Sequence, residues 1–473
     1  MHESFDRWLA ERLSPQAPFE DIFTLLQSSD DFFSWLQHQW ERYVEDRAWQ
    51  GESEGYLPFH VPSIRAFLPE LLLQGRLHRV QVTGGGFPGW MRIGIALPED
   101  TPGEVFRSTL ANLGYAWPYG NVSHRDWLAF AWQWGALRSQ ISTVSDKIAH
   151  VLADEMHPIQ ERMEETFSEW MYQRFQGLWS LAVTDIPILV HQVPQILRRA
   201  SESGERVALV VVDGMALDHW LTIRDASAEW MTEWEIAEHT CFAWVPTLTS
   251  ISRQSIFAGR RPQLFPETWK TTYGESKHWQ RTGADWGFPT TAVAYVSPKV
   301  LGSARVDDPL SNIPQAMDDE VRLLGLAISD IDNLAHASTF GVVEMQRDVR
   351  LWAASGNFAR LIAALLSQDF TVYLVADHGS VEATGRGQPS EGALVEMRAL
   401  RARIYDADVF AEATMRQYPH AKAWPPIGLP DNLSVLVADD LTAFDSINSQ
   451  VVAHGGIALE EVIVPFIRIR RRS

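Results

Sequence analysis

The 473-residue sequence is 46% hydrophobic and carries 40 Lys and Arg against 60 Asp and Glu, a formal net charge of −20. A chain of this length and apolar content buries a large core and typically divides into two or more domains. Its acidity argues against a broad electrostatic grip on nucleic acid, so a phosphate-bearing substrate would need local positive charge.

Several features of the sequence predict a cytoplasmic protein without a membrane partner. The single cysteine, Cys241, excludes an intrachain disulfide framework and is typical of a reducing compartment. The opening MHESFDRWLAERLS lacks the apolar core of a signal peptide. The most apolar long window, GLWSLAVTDIPILVHQVPQIL, is interrupted by Asp185, Pro187 and Pro194, which argues against a bilayer span.

Residues 1–200 are predicted to form a mainly helical N-terminal domain. Apolar residues recur at helical spacing in DRWLAERL, DIFTLLQSSDDFFSWLQHQWERYV and FSEWMYQRFQGLWSLAV. Most of the 20 tryptophans lie in this region; they could stack on bases, but their helical periodicity favours core packing. The glycines 84–86 lack a following GKS or GKT, so a hairpin or loop is favoured over a phosphate loop.

Residues 205–473 are predicted to form a separate α/β domain, after a polar linker at 198–206, RRASESGER. Five apolar runs predict buried strands, and helical segments lie between several of them. The runs are VALVVVD (207–213), VRLLGLAISD (321–330), FTVYLVAD (370–377), LSVLVAD (433–439) and VIVPFIRI (462–469). This alternation favours a mostly parallel sheet flanked by helices.

Several of these predicted strands end in aspartate. Asp213 and Asp377 do so, as does Asp330, with Asp332 two residues further on. Ligands of open α/β sheets bind at the carboxyl ends of the strands, so we expect these side chains to converge at one edge. A single such aspartate is typically a turn or a helix cap, whereas several of them favour a site. Asp439 or Asp440 could reach the same edge.

Histidines follow these aspartates at spacings that suit a metal ion. Asp332 and His336 form DxxxH, which puts both side chains on one face of a helix. Asp377 and His378 are adjacent, and His454 opens HGGIALEEVIVP. Carboxylate oxygens and imidazole nitrogens suit Zn²⁺. Each motif alone is a weak signal, and their combination predicts a metal site.

Hydroxyl side chains crowd the stretch PTLTSISRQSIFAG, which predicts a turn and then a helix from about Thr249 to Ala258. Gly259 lies just past the predicted end, as in many helix C-termini. Thr249 at the helix N-terminus is an N-cap, a nucleophile or both. A nucleophile fits because free N–H groups and the helix dipole favour a developing alkoxide and a phosphate oxygen.

Residues 205–470 resemble the PglZ domain of the alkaline phosphatase superfamily. The resemblance depends on motifs in a fixed order: VVVDGM, PTLTSISRQSIFAG, DNLAH, VADHGS and AHGGIALEEVIVPF. It implies two divalent metal ions, zinc above all, with manganese or magnesium as alternatives. It further implies phosphoryl transfer through a phosphothreonine or phosphoserine intermediate, and residues that hold one ion through Asp332, His336 and His454 and the other through Asp213, Asp377, His378 and Thr249.

PglZ proteins are best known from BREX phage-defence systems, so the resemblance implies a bacterial defence role and partner proteins from such a system. A related domain on some response regulators is similar to an oligonucleotide phosphodiesterase. We therefore predict a phosphodiesterase acting on nucleotide or oligonucleotide esters, with Thr249 as nucleophile. The alternatives are a phosphomonoesterase of the same superfamily and a scaffolding component. A sulfatase would need a CxPxR-type motif, and the FAW that follows Cys241 does not match it.

One arginine is a candidate substrate-binding residue. Arg253 lies one helical turn after Thr249 and projects from roughly the same face, so we expect it near the substrate entrance, with a surface salt bridge as the alternative. The run Arg398, Arg401 and Arg403 could also supply positive charge, although a solvated helix or strand face is favoured.

Overall fold

The computed structural model describes residues 29–48, 57–65, 68–73, 76–82, 87–96, 102–268, 270–298, 313, 318–337, 341–389, 399–430 and 432–472. The chain divides into two compact units, Met1–Leu113 and Gly114–Ser473. The predicted helical patterns at 6–13 and 21–28 and the glycines 84–86 lie outside the described residues. No helix among the described residues is both long and apolar enough to cross a membrane.

The first unit is built on helices around an aromatic core. Its elements are α1 (Ser29–Glu45), α2 (Pro62–Arg65), α3 (Leu68–Leu73), β1 (Val80–Gln81), a 3₁₀ helix (Gly89–Gly94), β2 (Ile95–Ala96) and α4 (Pro102–Leu113). Trp40 and Tyr43 of α1 pack on Phe59, and the Trp40 Nε1–H donates to the Gly94 carbonyl at 3.0 Å. These rings are buried, as their helical periodicity predicts.

The second unit is a mixed α/β structure. Its helices are α5 (His124–Ser139), α6 (Asp146–Leu178), α7 (Val193–Glu202), α8 (Leu217–Ala226), α9 (Ala228–Met231), α10 (Thr249–Ala258), α11 (Glu275–Asp285), α12 (Asp330–Ala337), α13 (Val342–Ala354), α14 (Asn357–Ser367), α15 (Asp408–Gln417) and α16 (Leu459–Val462). Short 3₁₀ helices occupy Gln140–Thr143, Val190–Gln192, Pro262–Leu264 and Thr290–Ala292.

A six-stranded sheet forms the centre of this unit, in the order β4-β14-β7-β3-β6-β5. Its strands are β3 (Arg206–Val212), β4 (Trp234–Phe242), β5 (Val293–Val296), β6 (Leu323–Ile328), β7 (Phe370–Ala376) and β14 (Ile463–Arg471). Strands β7, β3, β6 and β5 pair in parallel, and only β14 runs against its two neighbours in the sheet. The predicted mostly parallel sheet is therefore confirmed, and its long apolar runs are buried as expected.

The eight remaining strands of the described chain lie outside the central sheet. In the second unit they are β8 (Val381–Gly385), β9 (Ala402–Tyr405), β10 (Ala421–Trp424), β11 (Ser434–Ala438), β12 (Thr442–Ala443) and β13 (Gln450–Ala453). The run 433–439 does form a strand, β11, but it joins β10 and β9 in an antiparallel sheet and not the central one. Edge strand β4 is missing from the prediction because its exposed face interrupts the apolar run.

The helices from His124 to Glu202 lie in the same compact unit as the central sheet. The polar segment 198–206 is therefore the end of α7 followed by the start of β3, separated by a short turn. A domain boundary between 200 and 205 stays a prediction.

A buried polar network holds α5 and α6 against the rest of this unit. The Arg138 Nε–H of α5 donates to Asp218 Oδ2 of α8 at 2.8 Å, and Gln346 of α13 donates to the same oxygen at 2.7 Å. Burial alone raises the pKa of Asp218, but the Arg138 charge brings the pKa below its usual value. The pair is therefore ionised in a dry environment, where each charge needs the other.

The same helices hold the turn that begins α16. Glu164 of α6 accepts hydrogen bonds from the Leu459 N–H through both carboxylate oxygens, at 3.1 and 3.0 Å. Glu460 Oε1 accepts from Trp134 Nε1 at 2.7 Å and from Gln160 Nε2 at 2.8 Å. These contacts join residues about 300 positions apart in the chain.

Replacing Arg138 with Ala is expected to lower the free energy of unfolding by about 3–5 kcal/mol, because it leaves the Asp218 charge buried and unpaired. Denaturant unfolding followed by circular dichroism measures this change. The matched control is Arg198→Ala, which removes an exposed ion pair with Glu202 and should cost less than about 1 kcal/mol. Equal effects of the two substitutions would contradict the role assigned to the buried pair.

Candidate metal centre

Three neighbouring strands of the central sheet, β7, β3 and β6, deliver acidic side chains to one edge. Asp213 follows β3 directly, and its N–H donates to the Ile328 carbonyl at the end of β6 at 2.8 Å. Asp377 and His378 follow β7, and Asp332 lies in the first turn of α12 after β6. The expected convergence at the carboxyl ends of the strands is present for these residues.

Asp213, Asp377 and His378 lie close enough to bind one metal ion. All three are buried, and one ligand atom of each lies within 4.8 Å of the others. His378 Nε2 is 3.5 Å from Asp213 Oδ1 and 3.9 Å from Asp377 Oδ2. This is the largest part of the predicted site that the described residues place in a single cluster.

The electrostatics of this cluster fit a divalent cation. Burial, and then the neighbouring Asp213 charge, raise the pKa of Asp377 well above its usual value. Asp377 Oδ1 accepts hydrogen bonds from the Gly214 and His378 N–H groups, whereas the buried Oδ2 accepts none. Two carboxylates in a dry site with an orphaned oxygen are stabilised by a bound cation, which removes both the repulsion and the unsatisfied acceptor.

Hydrogen bonding fixes the orientation of His378. Its Nδ1 lies 3.0 Å from the Gly379 carbonyl oxygen, an obligate acceptor, so Nδ1 carries the proton and Nε2 presents a lone pair to the cluster. Burial, and then the neighbouring His454, lower the pKa of His378 well below its usual value. A neutral imidazole whose other nitrogen donates to a carbonyl is a typical zinc ligand.

The Thr249 hydroxyl faces this cluster. Its Oγ1 lies 3.0 Å from His378 Nε2 and 3.3 Å from Asp213 Oδ1. The predicted helix Thr249–Ala258 is confirmed, with Gly259 in the left-handed region at φ 59°. The N-cap is Leu248, so the N-cap interpretation of Thr249 is wrong: Thr249 is the first helical residue, and its side chain points to the acidic site.

The second predicted ligand set is described only in part. His454 Nε2 lies 3.9 Å from Asp332 Oδ1, and the rings of His378 and His454 stack with centroids 4.1 Å apart. His336 occupies the expected place in α12, four residues after Asp332, but its side chain lies outside the described residues. The two histidine rings bring the two predicted sets side by side.

The rival aspartates are placed differently. Asp330 is buried at the first position of α12, whereas Asp332 is the residue with the measured approach to His454. Asp439 follows β11, which belongs to the separate antiparallel sheet, and pairs with Lys422 at 3.4 Å. We therefore keep Asp332 as the candidate ligand.

Two features around the site were missed in the sequence. Gly214 has φ +70°, and a Cβ there would lie 3.1 Å from the Asp332 Cβ, so this position favours glycine. Thr247 holds the His454 loop at three points: its carbonyl accepts from His454 Nδ1 at 2.8 Å, its Oγ1 accepts from the Gly455 N–H at 2.9 Å, and Oγ1 donates to the Gly456 carbonyl at 2.9 Å. The paired motifs PTLT and HGG carry the signal.

These contacts explain why hydroxyls crowd residues 247–255. Thr247 anchors the His454 loop, and Thr249 faces the acidic cluster. Ser252 Oγ donates to the Asp377 carbonyl at 2.5 Å and accepts from the Trp244 N–H at 3.2 Å. Ser255 Oγ donates within the helix to the Ile251 carbonyl. Thr247 and Ser252 therefore position the backbone that carries His454 and Asp377.

Arg253 is buried beside the site. Its Nη1 lies 2.5 Å from Asp213 Oδ2, and its Nε lies 2.7 Å from Glu275 Oε1. The expected approach to the Thr249 side of the helix is present, but both measured contacts are with carboxylates. A contact between Arg253 and substrate stays a prediction.

The predicted solvated face at Arg401 and Arg403 is wrong. Both side chains are buried, and Arg398 lies outside the described residues. Arg401 pairs with Glu461 at 3.1 Å, and its N–H donates to the His454 carbonyl at 3.0 Å. Arg401 thus belongs to the support of the His454 loop.

A family model described as "BREX system PglZ alkaline phosphatase-like domain" matches residues 189–469. The chain belongs to the PglZ family. The match confirms the resemblance predicted from the motifs and begins 16 residues before the predicted start at 205. No curated protein matches the chain.

Among solved structures, the chain is similar to murine ectonucleotide pyrophosphatase/phosphodiesterase 5, at 14% identity and a TM-score of 0.42 over 56% of this chain and 88% of the other. An inactive form of the murine protein in complex with AMP matches at 14% identity and a TM-score of 0.41, over 56% and 87% of the two chains. Phosphonoacetate hydrolase from Sinorhizobium meliloti matches at 13% identity and a TM-score of 0.33, over 56% and 90%. The family assignment rests on the sequence match.

The raised pKa of Asp377 predicts how Asp377→Asn affects the metal-free protein. When a carboxyl group has a higher pKa in the folded state than in the unfolded state, the folded protein becomes less stable as the pH rises from the unfolded pKa towards the folded pKa. Asp377→Asn removes this penalty, so the chelator-treated variant should melt at a higher temperature than the chelator-treated wild type at pH 8. The difference should shrink towards pH 4.

Thermal melts between pH 4 and pH 8 measure this difference directly. Asp154→Asn, which changes an exposed carboxylate on α6, is the matched control and should leave the melting temperature nearly unchanged at every pH. A wild type more stable than Asp377→Asn at pH 8 without metal would show that the two buried carboxylates do not repel each other.

Proposed function

We propose that this PglZ protein is a two-metal phosphohydrolase, a phosphodiesterase that cleaves nucleotide or oligonucleotide esters with Thr249 as nucleophile. The observation that supports this most directly is the position of the Thr249 hydroxyl. It lies at the first residue of a ten-residue helix, 3.0 Å from His378 Nε2 and 3.3 Å from Asp213 Oδ1. A hydroxyl, a helix N-terminus and buried ligand groups together suit phosphoryl transfer.

Seven residues would hold the metal ions. Asp213, Asp377, His378 and Thr249 would hold one ion, and Asp332, His336 and His454 the other. When bound, divalent ions lower the pKa of a nucleophilic hydroxyl and neutralise charge on the phosphoryl oxygens. Zn²⁺ fits this mixture of carboxylate and imidazole ligands, with Mn²⁺ or Mg²⁺ as alternatives.

The chain's own residues prepare the nucleophile for attack. The Asp213 Oδ1 accepts a hydrogen bond from the Thr249 hydroxyl, which marks the direction in which the proton leaves. Thr249 lies at the N-terminus of α10, where the positive end of the helix dipole suits the non-bridging oxygens of a phosphate group. Oγ1 then forms a bond to phosphorus, and the bond to the leaving alcohol breaks with its electron pair on the alcohol oxygen, which takes up the proton that left Thr249.

A second step restores the enzyme. Water attacks the phosphorus of the phosphodiester that now links Thr249 to the rest of the substrate, the bond to Oγ1 breaks, and the released product is a phosphomonoester. Thr249 recovers its hydroxyl with a proton from that water. The two steps together consume one water and leave no net change in the protein.

The contacts that Arg253 makes with two carboxylates support a diester as substrate. A phosphomonoester carries one more negative charge than a diester, so sites that prefer it usually add a cation or an arginine to the metal ions. Arg253 has the expected place on the helix, but its Nε and Nη1 already contact Glu275 and Asp213. That leaves its positive charge balanced by carboxylates of the protein.

The net charge limits the substrate further. A chain with a charge of −20 repels long polyanions, so short or single-stranded substrates are favoured and their affinity should fall as salt rises. The BREX description of the family supports a role in phage defence with partner proteins of such a system.

Thr249→Ala is expected to reduce kcat on a chromogenic phosphodiester by at least about a thousandfold, because the nucleophile is gone. Thr249→Ser should keep part of the activity, since it preserves a hydroxyl. Ser255→Ala is the matched control, because its hydroxyl donates only to the Ile251 carbonyl of the same helix. Full activity in folded Thr249→Ala would exclude Thr249 as the nucleophile.

Zinc-loaded protein is expected to cleave bis-(p-nitrophenyl) phosphate with a higher kcat/KM than p-nitrophenyl phosphate, and a chelator should abolish both activities. Parallel steady-state assays, with metal content measured by elemental analysis, test this preference. A higher kcat/KM for the monoester would favour the phosphomonoesterase alternative. Folded protein that binds zinc but cleaves neither substrate would favour scaffolding.

A further inference from the structure

A buried line of hydrogen bonds leads away from the candidate metal centre through Arg253. The Tyr295 hydroxyl donates to Glu275 Oε2 at 2.5 Å, and the Arg253 Nε–H donates to Glu275 Oε1 at 2.7 Å. The Arg253 Nη1–H donates to Asp213 Oδ2 at 2.5 Å. One end of this line is a candidate ligand, and the other is a strand of the central sheet.

Separate elements supply the members of this line. Arg253 lies on α10, Glu275 begins α11, and Tyr295 lies on edge strand β5. The Tyr295 ring packs edge-on against Phe257 with centroids 5.2 Å apart, which limits its rotation. Each side chain is therefore held by packing or by charge, and together they fix the orientation of the Asp213 carboxylate.

We propose that Arg253 is a positioning residue for the metal centre, held by Glu275 and Tyr295, and that it orients Asp213 by occupying Oδ2 and turning Oδ1 towards the metal ion and Thr249. The proposal rests on the metal-dependent function proposed above. Asp213 Oδ1 is the oxygen that lies 3.3 Å from Thr249 Oγ1 and 3.5 Å from His378 Nε2.

The surroundings of the guanidinium favour this role over a substrate contact. Arg253 is only 7% exposed, and it makes charge-assisted hydrogen bonds to two buried carboxylates. Turning towards a substrate would break at least one of them and take a buried carboxylate's cationic partner away, which is a large penalty. The planar guanidinium also spans two partners at once, which an ammonium group cannot do in the same geometry.

Glu275 has a defined part in the arrangement. It is buried and binds the Nε side of the guanidinium, so the Nη1 side is presented to Asp213. Tyr295 occupies the other oxygen of Glu275 and prevents that carboxylate from turning away. Loss of the Tyr295 hydroxyl should therefore weaken the orientation of Asp213. Loss of the Glu275 charge or of the planar Arg253 guanidinium should weaken it more.

The test measures the Zn²⁺ affinity of the metal-free full-length protein by competition with a chromophoric chelator. Arg253→Lys keeps the charge but loses the fork, and it should raise the Kd for Zn²⁺ at least about tenfold. Glu275→Gln should act in the same direction, and Tyr295→Phe by a smaller factor. Arg260→Lys is the matched control. Because Arg260 pairs with Asp285 at the surface, this variant should bind Zn²⁺ with the same Kd as the wild type.

Assays with substrate separate this role from substrate binding. Unchanged Zn²⁺ affinity in Arg253→Lys and Glu275→Gln, with a raised KM for the diester and weaker inhibition by inorganic phosphate, would overturn the proposal. If Arg253→Lys does not fold, Tyr295→Phe decides, because it removes only one oxygen atom; wild-type Zn²⁺ affinity in that variant would overturn the proposal.

The two levels of inference fail in different ways. A wild-type protein that binds no Zn²⁺ would overturn the proposed metal-dependent function together with this inference. A wild type that binds Zn²⁺ with the same Kd as folded Glu275→Gln and Tyr295→Phe would overturn the positioning role alone.

Discussion

The placement of two carboxylates at the ends of adjacent parallel strands is the constraint on which the rest of this site depends. Asp213 and Asp377 are both buried, and the charge of Asp213 adds to the effect of burial in raising the pKa of Asp377. Arg253 contacts Asp213, and backbone N–H groups contact Asp377 Oδ1. A cation bound between these carboxylates would relieve their repulsion, and its binding would then be coupled to the stability of this edge.

The pairing of two strands brings His378 and His454 together, although they lie far apart in the chain. His378 follows β7, and His454 follows β13, which pairs antiparallel with β8 soon after His378. The pairing sets Ala453 opposite Val381, so the two histidines leave neighbouring strands at the same end. Each ring then donates Nδ1–H to a backbone carbonyl, and both Nε2 atoms are presented to the acidic side chains.

The sequence predicts the central strands well because they are buried on both faces and therefore read as unbroken apolar runs, as in 207–212 and 370–376. The same signal cannot assign a strand to a sheet, which is why 433–439 was placed in the wrong one. The C-terminus of α10 was predictable from Gly259, whereas the N-cap is Leu248 and not the hydroxyl residue Thr249. The burial of Arg401 and Arg253 was not predictable, because a charged residue is expected to be exposed until its buried partner is known, and these partners lie 60 and 22 residues away.

The contacts of Glu164 and Glu460 show that part of the structure supporting the site lies outside the segment that matches the family. Helix α6 binds the backbone of Leu459, and Trp134 and Gln160 bind Glu460, only a few residues after His454. The family match begins at residue 189, yet Trp134, Gln160 and Glu164, which contact the turn after His454, lie before it. A recombination event that transferred only residues 189–469 would carry the candidate ligands without the helices that support the turn after His454. The helices α5 and α6 and the phosphatase-like segment are therefore expected to be inherited together.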